Sequence, residues 1–297
     1  MTARSRPPRR GVTRSAAPLL VSALLAGTLL AACGPEGGSA AAGSTAAGTR
    51  GAAGAPGTDG ADGADGADGT SADGSSGTIN RYSRSWSNSW SDSAGTSGPV
   101  QSDVQQVEYH QPIATLDLRT DAGSIDVVGD APADTVRITR RRSWTGAEPV
   151  VTDQWAGTTL TTRVACDSCG VSFEVHVPPS VATRLAAGAG NVTVTGLTGD
   201  ADLSSSSGTV TARDLTAATV SAQSRSGGVA LDLAGVPQQV RASTAAGSVT
   251  VAVPAGSYRV DATTSAGRTA VSVPQDPSSP RTIDARSSAG SVTVRTR

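Results

Sequence analysis

Lysine is absent from this sequence, and aromatic residues are scarce. All 24 basic residues are arginine and 25 residues are acidic, so that the formal net charge is −1. A chain with this balance has no overall field that would gather nucleic acid. Aromatic side chains make up only 3% of the residues, which argues against a deep ligand pocket lined by rings. We therefore expect no nucleic-acid partner and no pocket of that kind.

Residues that usually carry chemistry are also few. The sequence contains 2 histidines and 3 cysteines, whereas a structural zinc site takes four ligands. It contains no G-x-S-x-G, H-E-x-x-H or P-loop motif. We therefore expect that the protein is not an enzyme and that it holds neither a metal nor a cofactor.

A regular glycine repeat fills the C-terminal part of the chain. Six glycines follow one another at spacings of 18, 19, 20, 20 and 23 residues, and an earlier copy is centred on Gly123. The six are Gly190, Gly208, Gly227, Gly247, Gly267 and Gly290. A fixed period of about 20 residues is typical of repeat architectures, in which each unit buries its inner face against its neighbours.

Residue types alternate with period two on both sides of each glycine, which predicts two half-buried strands per unit and an all-β fold. A parallel β-solenoid, or β-helix, with coils of about 20 residues would stack like residues in columns. An antiparallel β-meander with Gly-X hairpin turns also fits the pattern. The same small residues recur unit after unit, which favours the solenoid, because a meander needs only complementary partners.

Three runs carry a family resemblance: SSSSGTVTARDL, SAQSRSGGVALDLAG and RASTAAGSVTVAVPAG. They resemble the putative-adhesin family of bacterial extracellular β-solenoid domains, here in an actinobacterial-type lipoprotein. The resemblance covers residues 110–297 and implies a β-solenoid fold and a place at the cell surface.

The first 33 residues resemble a bacterial lipoprotein signal. Several arginines precede the apolar residues 17–32, a run too short for a comfortable membrane span. Leu30-Ala31-Ala32-Cys33 resembles the lipobox, which implies cleavage before Cys33 and attachment of diacylglycerol to its thiol. Two acyl chains hold a protein stably on a membrane. We therefore expect a signal peptide over residues 1–32 and a lipid anchor on the extracellular face of the cell membrane.

Residues 33–100 are predicted to be a disordered tether, because Gly, Ala, Ser, Thr and Asp bury too little surface to offset chain entropy. Within it, residues 81–93 alternate serine with larger side chains and predict an extended strand. Its aromatic face carries Tyr82, Trp86 and Trp90. These side chains cap the open end of the repeat domain, or form a surface on which sugar rings or a partner stack, or belong to a disordered stretch, and the cap is favoured. The folded domain is predicted over residues 101–297.

Cys166 and Cys169 form a C-x-x-C pair in a chain predicted to be exported, which favours a disulfide. The alternation that follows them puts Cys169 in the glycine position of the repeat, so the pair would clasp a corner between two strands. Two alternatives stay open. A thioredoxin-like redox pair needs a helix N-terminus, and a zinc site needs more ligands.

Two further stretches of the sequence bear on where the edges of the sheets lie. Arg140, Arg141 and Arg142 either form a small anion patch or lie in a solvated loop or an edge strand, and the latter is favoured. The chain ends inside a predicted strand, residues 291–297, without an obvious cap. An uncapped end offers unpaired backbone groups. Either Arg295 and Arg297 guard this edge against pairing, or the edge serves for edge-to-edge self-association through the C-terminal strand or for docking of a partner.

Together these features predict a cell-surface lipoprotein whose β-solenoid is an adhesin-like binding or structural module. The expected partners are the membrane, through the lipid, and a cell-wall glycan or an envelope protein. The alternative is an envelope-stress or redox sensor component that uses Cys166 and Cys169.

Overall fold

The computed structural model describes residues 77–86 and 100–297, and every regular element in that part is a β-strand. Strands before the regular repeat are β1 (Gly77–Trp86), β2 (Gln101–His110), β3 (Thr115–Ala122), β4 (Ile125–Gly129), β5 (Thr135–Trp144), β6 (Val150–Ala156), β7 (Thr159–Ala165) and β8 (Cys169–Val177). Those of the repeat are β9 (Ala182–Ala189), β10 (Val192–Thr195), β11 (Ala201–Ser207), β12 (Val210–Leu215), β13 (Thr219–Ser226), β14 (Val229–Leu233), β15 (Gln239–Ala246), β16 (Val249–Val253), β17 (Arg259–Ala266), β18 (Thr269–Ser272), β19 (Thr282–Ala289) and β20 (Val292–Thr296). Within the described ranges, no helix is long and apolar enough to cross a membrane.

The strands form two sheets that face each other across one core. The first sheet has the order β1-β2-β5-β8-β4-β10-β12-β14-β16-β20-β18, and the second has the order β17-β19-β15-β13-β11-β9-β3-β7-β6. Each repeat unit contributes a strand to the second sheet, turns at its glycine, and contributes the next strand to the first sheet. Neighbouring units pair in parallel throughout the repeat, so the predicted solenoid is confirmed and the meander is wrong.

Like residues stack in register from coil to coil. Val192 pairs with Ile125 on one side and with Val210 on the other. In the second sheet, Leu203 lies between Leu185 and Ala222. These side chains are buried in one continuous apolar core, which is why a single coil cannot hide its inner face alone.

The coils do not stack strictly in chain order. The last coil, β19–β20, lies between β15–β16 and β17–β18, so that β17–β18 forms the end of the solenoid. The expectation that the C-terminal strand is an open edge is therefore wrong, because β20 is paired on both sides. The inward-facing positions of all coils carry similar residues, so the last coil can pair in register with both β15–β16 and β17–β18. At this end the open edges belong to β17 and β18.

Antiparallel strands close the other end. The first coil is β7–β8, which stacks in parallel on β3–β4. β6 is antiparallel to β7, and β5, β2 and β1 follow β8 as antiparallel strands. Residues 81–86 of the strand predicted within residues 81–93 lie in β1, which begins at Gly77 and pairs with β2, whereas residues 87–93 lie outside the described residues. Trp90 lies outside the described residues.

β5 lies between β2 and β8, so the expectation of a solvated loop or an edge strand for its arginines is wrong. Arg140 is 3% exposed and Arg142 is 6% exposed, whereas Arg141 faces solvent. The period of two explains this arrangement, since Arg140 and Arg142 continue the inward positions that begin with Val136 and Ile138.

Candidate binding surface

A row of hydroxyl groups lines the corner of the solenoid on its inner side. Three residues before the repeat glycine, a serine or threonine donates a hydrogen bond to the glycine carbonyl of the neighbouring coil. Ser205 Oγ donates to the Gly190 oxygen at 2.8 Å. The other donors in this row are Ser224, Thr244, Thr264 and Ser287. Because a buried carbonyl without a partner costs free energy, these hydrogen bonds explain the serine and threonine column of the sequence.

The corner glycines stack with their backbones in close approach. A Cβ atom on Gly227 would overlap the carbonyl oxygen of Gly208 on the next coil, and the φ of Gly227 is 153°. Only glycine avoids both the overlap and the strained conformation. The repeat glycines therefore lie at the corners between strands, and the main physical reason is the tight stacking of coils.

The outer side of the same strand ends forms a groove across the second sheet, with a cavity volume of about 720 Å³. We call it the solenoid groove. Its floor consists of side chains two and four residues before the glycines, and in β9, β11 and β15 these are small, as at Ala186, Gly188, Ser204 and Ser243. Seven adjacent strands contribute, and a strand spacing of about 4.8 Å gives a groove on the order of 30 Å long.

Guanidinium groups outnumber carboxylates in the groove lining. Arg119, Arg225 and Arg286 line it, against Asp121 as the only carboxylate among its described lining residues. Arg119 and Arg286 form ion pairs with aspartates beside the groove. For Arg225, at the middle of the groove, no ion pair is found within the described part of the chain. The groove therefore offers hydroxyl groups along its length and a positive charge at its centre.

A second polar feature is a buried ion-pair cluster near the N-terminal end of the solenoid. Arg142 Nε donates to Asp103 Oδ1 at 2.7 Å, and its Nη2 also binds Asp103 and lies 2.8 Å from Glu148. The guanidinium carbon lies 5.5 Å from the ring centre of Trp144. Burial of a charge pair requires such complete pairing, since an unpaired buried charge is costly.

Asp153 is the centre of the second half of this cluster. It binds Arg140, accepts a hydrogen bond of 2.7 Å from Thr162 Oγ1, and accepts one of 2.5 Å from Tyr109 Oη. Arg140 Nη1 also donates to Gln105 Oε1 at 3.2 Å. Burial raises the pKa of Tyr109 well above its ordinary value, and the Asp153 carboxylate raises it further, so the hydroxyl group remains a donor.

These groups border a cavity of about 370 Å³ between the first sheet and β6, whose walls include Val107, Pro149 and Val151. Arg140 and Arg142 line it together with the two carboxylates of Glu148 and Asp153, so it does not present the surplus of positive charge that an anion would need. The cluster holds two sheets together at the end of the solenoid, where the apolar core gives way to polar residues.

Cys166 and Cys169 are joined by a disulfide, with Cα atoms 6.0 Å apart, at the corner between β7 and β8. The predicted clasp of a corner is thus observed, but Cys169 is not in the glycine position. Ile125 pairs with Phe173, which aligns Val171 with Gly123. The corner between β7 and β8 is longer than the others, and the disulfide closes the additional residues into a short loop.

Carboxylates also lie side by side on the outer face of the first sheet. Asp126 pairs in register with Glu174, and His176 Nδ1 lies 2.7 Å from Asp130 Oδ1. Burial raises the pKa of Asp126, and the adjacent Glu174 raises it further, while His176 and Arg213 oppose the shift. Within the described ranges, no three His, Cys, Asp or Glu residues are grouped so that they could hold a metal ion.

The predicted site residues are distributed over separate places. Tyr82 and Trp86 lie in β1 at the edge of the first sheet, and the disulfide lies at another corner. Cys33 lies outside the described residues, as does Trp90. Sequence reasoning missed the buried cluster, although the alternation through β5 already placed Arg140 and Arg142 inward. It also missed the groove, whose floor residues stand two and four positions before each repeat glycine but differ in residue type from coil to coil.

The described fold resembles solved structures and a known domain family. A putative cell adhesion protein from Clostridium sporogenes is 11% identical, over 67% of this chain and 100% of the other, with a TM-score of 0.42. A putative adhesin from Bacteroides fragilis is 15% identical, over 66% and 97%, with a TM-score of 0.36. No curated protein matches significantly. Residues 107–297 match Toastrack DUF4097, over the same repeats that resemble putative adhesins. The chain therefore belongs to the Toastrack DUF4097 family.

Proposed function

We propose that this protein is a cell-surface lipoprotein whose solenoid groove binds a linear glycan of the cell envelope. The observation that carries the proposal is the groove itself, which crosses seven coils and is lined by hydroxyl and guanidinium groups. A long, open, polar groove suits an extended polymer better than a compact ligand, which would need an enclosed apolar pocket.

The charge of the groove favours an acidic polymer. Arg119 and Arg286 are paired with aspartates beside the groove, so the positive charge that remains available is that of Arg225, for which no ion pair is found among the described residues. Guanidinium groups bind carboxylate and phosphate oxygens through paired hydrogen bonds, which are stronger than those between neutral groups. The small floor residues allow a chain to approach the sheet closely.

We propose the lipid anchor from the lipobox-like residues that end at Cys33. Acylation of Cys33 would hold the domain at the membrane through two acyl chains, and the segment that follows would let the domain reach envelope polymers. The proposal assigns binding to the domain and no chemistry of its own.

The redox alternative has less support. A reactive C-x-x-C pair usually has its thiolate at a helix N-terminus, which lowers the pKa of the thiol. Cys166 and Cys169 lie between two strands instead, so we propose a structural role for the disulfide.

A matched pair of arginine variants tests the groove. The full acylated chain is purified in detergent, and its binding to acidic glycans isolated from the source envelope is measured by calorimetry. Arg225→Ala is expected to weaken binding about tenfold or more, because one charge-assisted contact is lost. Arg213→Ala removes an exposed arginine from the opposite sheet and is expected to leave the affinity unchanged.

Two results would contradict the proposal. Equal losses in both variants would mean that the groove is not the binding surface. An absence of binding to every isolated envelope glycan, acidic or neutral, would leave an envelope protein as the better candidate partner.

A further inference from the structure

The C-terminal end of the solenoid exposes residues that every inner coil buries. Val260 and Ala262 in β17 are only half-buried, whereas their equivalents Val240 and Ala242 in β15 are fully buried. In β18, Thr269 is exposed, although its partner Val292 is buried. The end coil thus has an apolar interior strip and no coil stacked upon it.

The two edges at this end lack the usual protection against strand pairing. Within β17 and β18 there is no proline and no register irregularity, and the two charged residues, Arg259 and Asp261, face outward. Natural edge strands are commonly blocked by prolines, bulges or inward charges. The opposite end of the solenoid is different, because antiparallel strands cover it.

We propose that this end binds the same end of a second copy of the chain, across a two-fold axis. A partner must offer two strand edges, one for each sheet, with an apolar strip between them. A single peptide strand covers only one edge, whereas the same coil of a second copy supplies both edges at the matching separation. The two-fold axis, perpendicular to the sheets, makes β17 pair antiparallel with β17 of the second copy and β18 with its equivalent, so both sheets continue through the interface.

Charge and side-chain direction are compatible with this pairing. When Ala262 lies opposite Ala262 of the second copy, Val260 faces Thr264, and both point inward. Asp261 then faces Thr263 and Arg259 faces Ser265, so no like charges are directly opposed. Asp261 also keeps its ion pair of 2.9 Å with Arg286 of its own chain.

Cross-linking in membranes tests the pairing directly. In the full chain, Thr263→Cys places thiols of the two copies diagonally across the β17 pair, about 7–8 Å apart, within reach of a short bismaleimide. We expect a product of twice the chain mass. Ser204→Cys, an outward position in the middle of the same sheet, is expected to give none. A Thr263→Cys thiol that reacts with a monofunctional maleimide but yields no dimer would overturn the proposal, as would a product with a different protein.

A pair of neighbouring substitutions tests the interior strip. Thr269→Asp puts a carboxylate where the dimer would bury it, whereas Ala270→Asp puts the same charge on the outer face of β18. Both residues are exposed in the single chain, so we expect both variants to melt like the parent. In sedimentation of the detergent-solubilised chain, Thr269→Asp should weaken the dimer at least about a hundredfold and Ala270→Asp less than about threefold, because only the first charge loses its water. A monomeric parent, or equal effects of the two variants, would overturn the proposal.

Discussion

Ser224 Oγ donates a hydrogen bond of 2.9 Å to the carbonyl oxygen of Gly208 on the neighbouring coil. The same relationship recurs from coil to coil, and it joins the two most regular columns of the sequence. The glycine column brings the backbones together, and the hydroxyl column satisfies the carbonyl groups that this close approach buries.

Replacement of Ser224 by alanine should therefore destabilise the fold. The Gly208 carbonyl would lose a donor in a buried place, at a cost of about 1–3 kcal/mol in the free energy of unfolding. Urea denaturation measures this loss. Ser226→Ala, an exposed position in the same strand, should cost less than about 0.5 kcal/mol. If both variants lost the same stability, the hydroxyl row would have no special role.

Ala187 is the exception in the hydroxyl row, and the carbonyl that it faces belongs to Gly123. The residue is buried, and Ala187 in β9 pairs in register with Thr120 and Ser205. Ala187→Ser should add the missing donor and raise the free energy of unfolding by about 0.5–1.5 kcal/mol. A thermal melt of the variant that is lower than that of the parent would show that the corner has no room for the hydroxyl group.

Gly227 and Gly228 are adjacent in sequence, but only Gly227 has no room for a side chain. A Cβ on Gly227 would overlap the Gly208 carbonyl, whereas on Gly228 the nearest atom would be the Ser248 carbonyl oxygen at 3.3 Å. Gly227→Ala should cost at least about 2 kcal/mol because of overlap and backbone strain. Gly228→Ala should cost less than about 1 kcal/mol. Chemical denaturation of the two variants in parallel measures the difference, and similar values would refute the stacking argument.

Arg140 and Arg141 are adjacent in β5 but lie on opposite faces. Arg140→Met should cost about 3–5 kcal/mol, because Asp153 would keep its buried charge without a guanidinium partner. Arg141→Met removes an exposed ion pair with Glu174 and should change the free energy of unfolding by less than about 1 kcal/mol. The comparison requires only equilibrium unfolding, and a small effect of Arg140→Met would mean that water reaches Asp153.

Asp126 should make the folded state slightly less stable at neutral pH. Its pKa is raised in the folded state, so the folded chain binds a proton more readily than the unfolded chain. Stability from this group is therefore highest at low pH and falls as the pH rises from the ordinary aspartate pKa through the raised folded value. Asp126→Asn should raise the melting temperature at pH 7 and have little effect at pH 3. A gain of equal size at both pH values would contradict an electrostatic origin.

Much of the fold was predictable because its signals are local and repeated. Alternation around each glycine, as at Val192 and Val210, reports which side chains face inward, and the recurrence of the columns reports that coils stack in parallel. The hydroxyl row was visible as a column but its bonding was not, because the acceptor carbonyl lies on another coil. Arg140 and Arg142 were misplaced because consecutive charged residues are usually solvated. Their carboxylate partners, Asp153 and Asp103, are distant in sequence.

The sequence by itself determined the repeat, the strands and the inward columns, since period-two alternation and glycine spacing follow directly from backbone geometry. Only the tertiary structure decided which coil stacks on which. Because the inward-facing residues are nearly the same in every coil, the sequence is compatible with several stacking orders. The placement of β19–β20 between β15–β16 and β17–β18 depends on how the whole stack packs. That choice buries the C-terminal strand and leaves β17 and β18 as the open end.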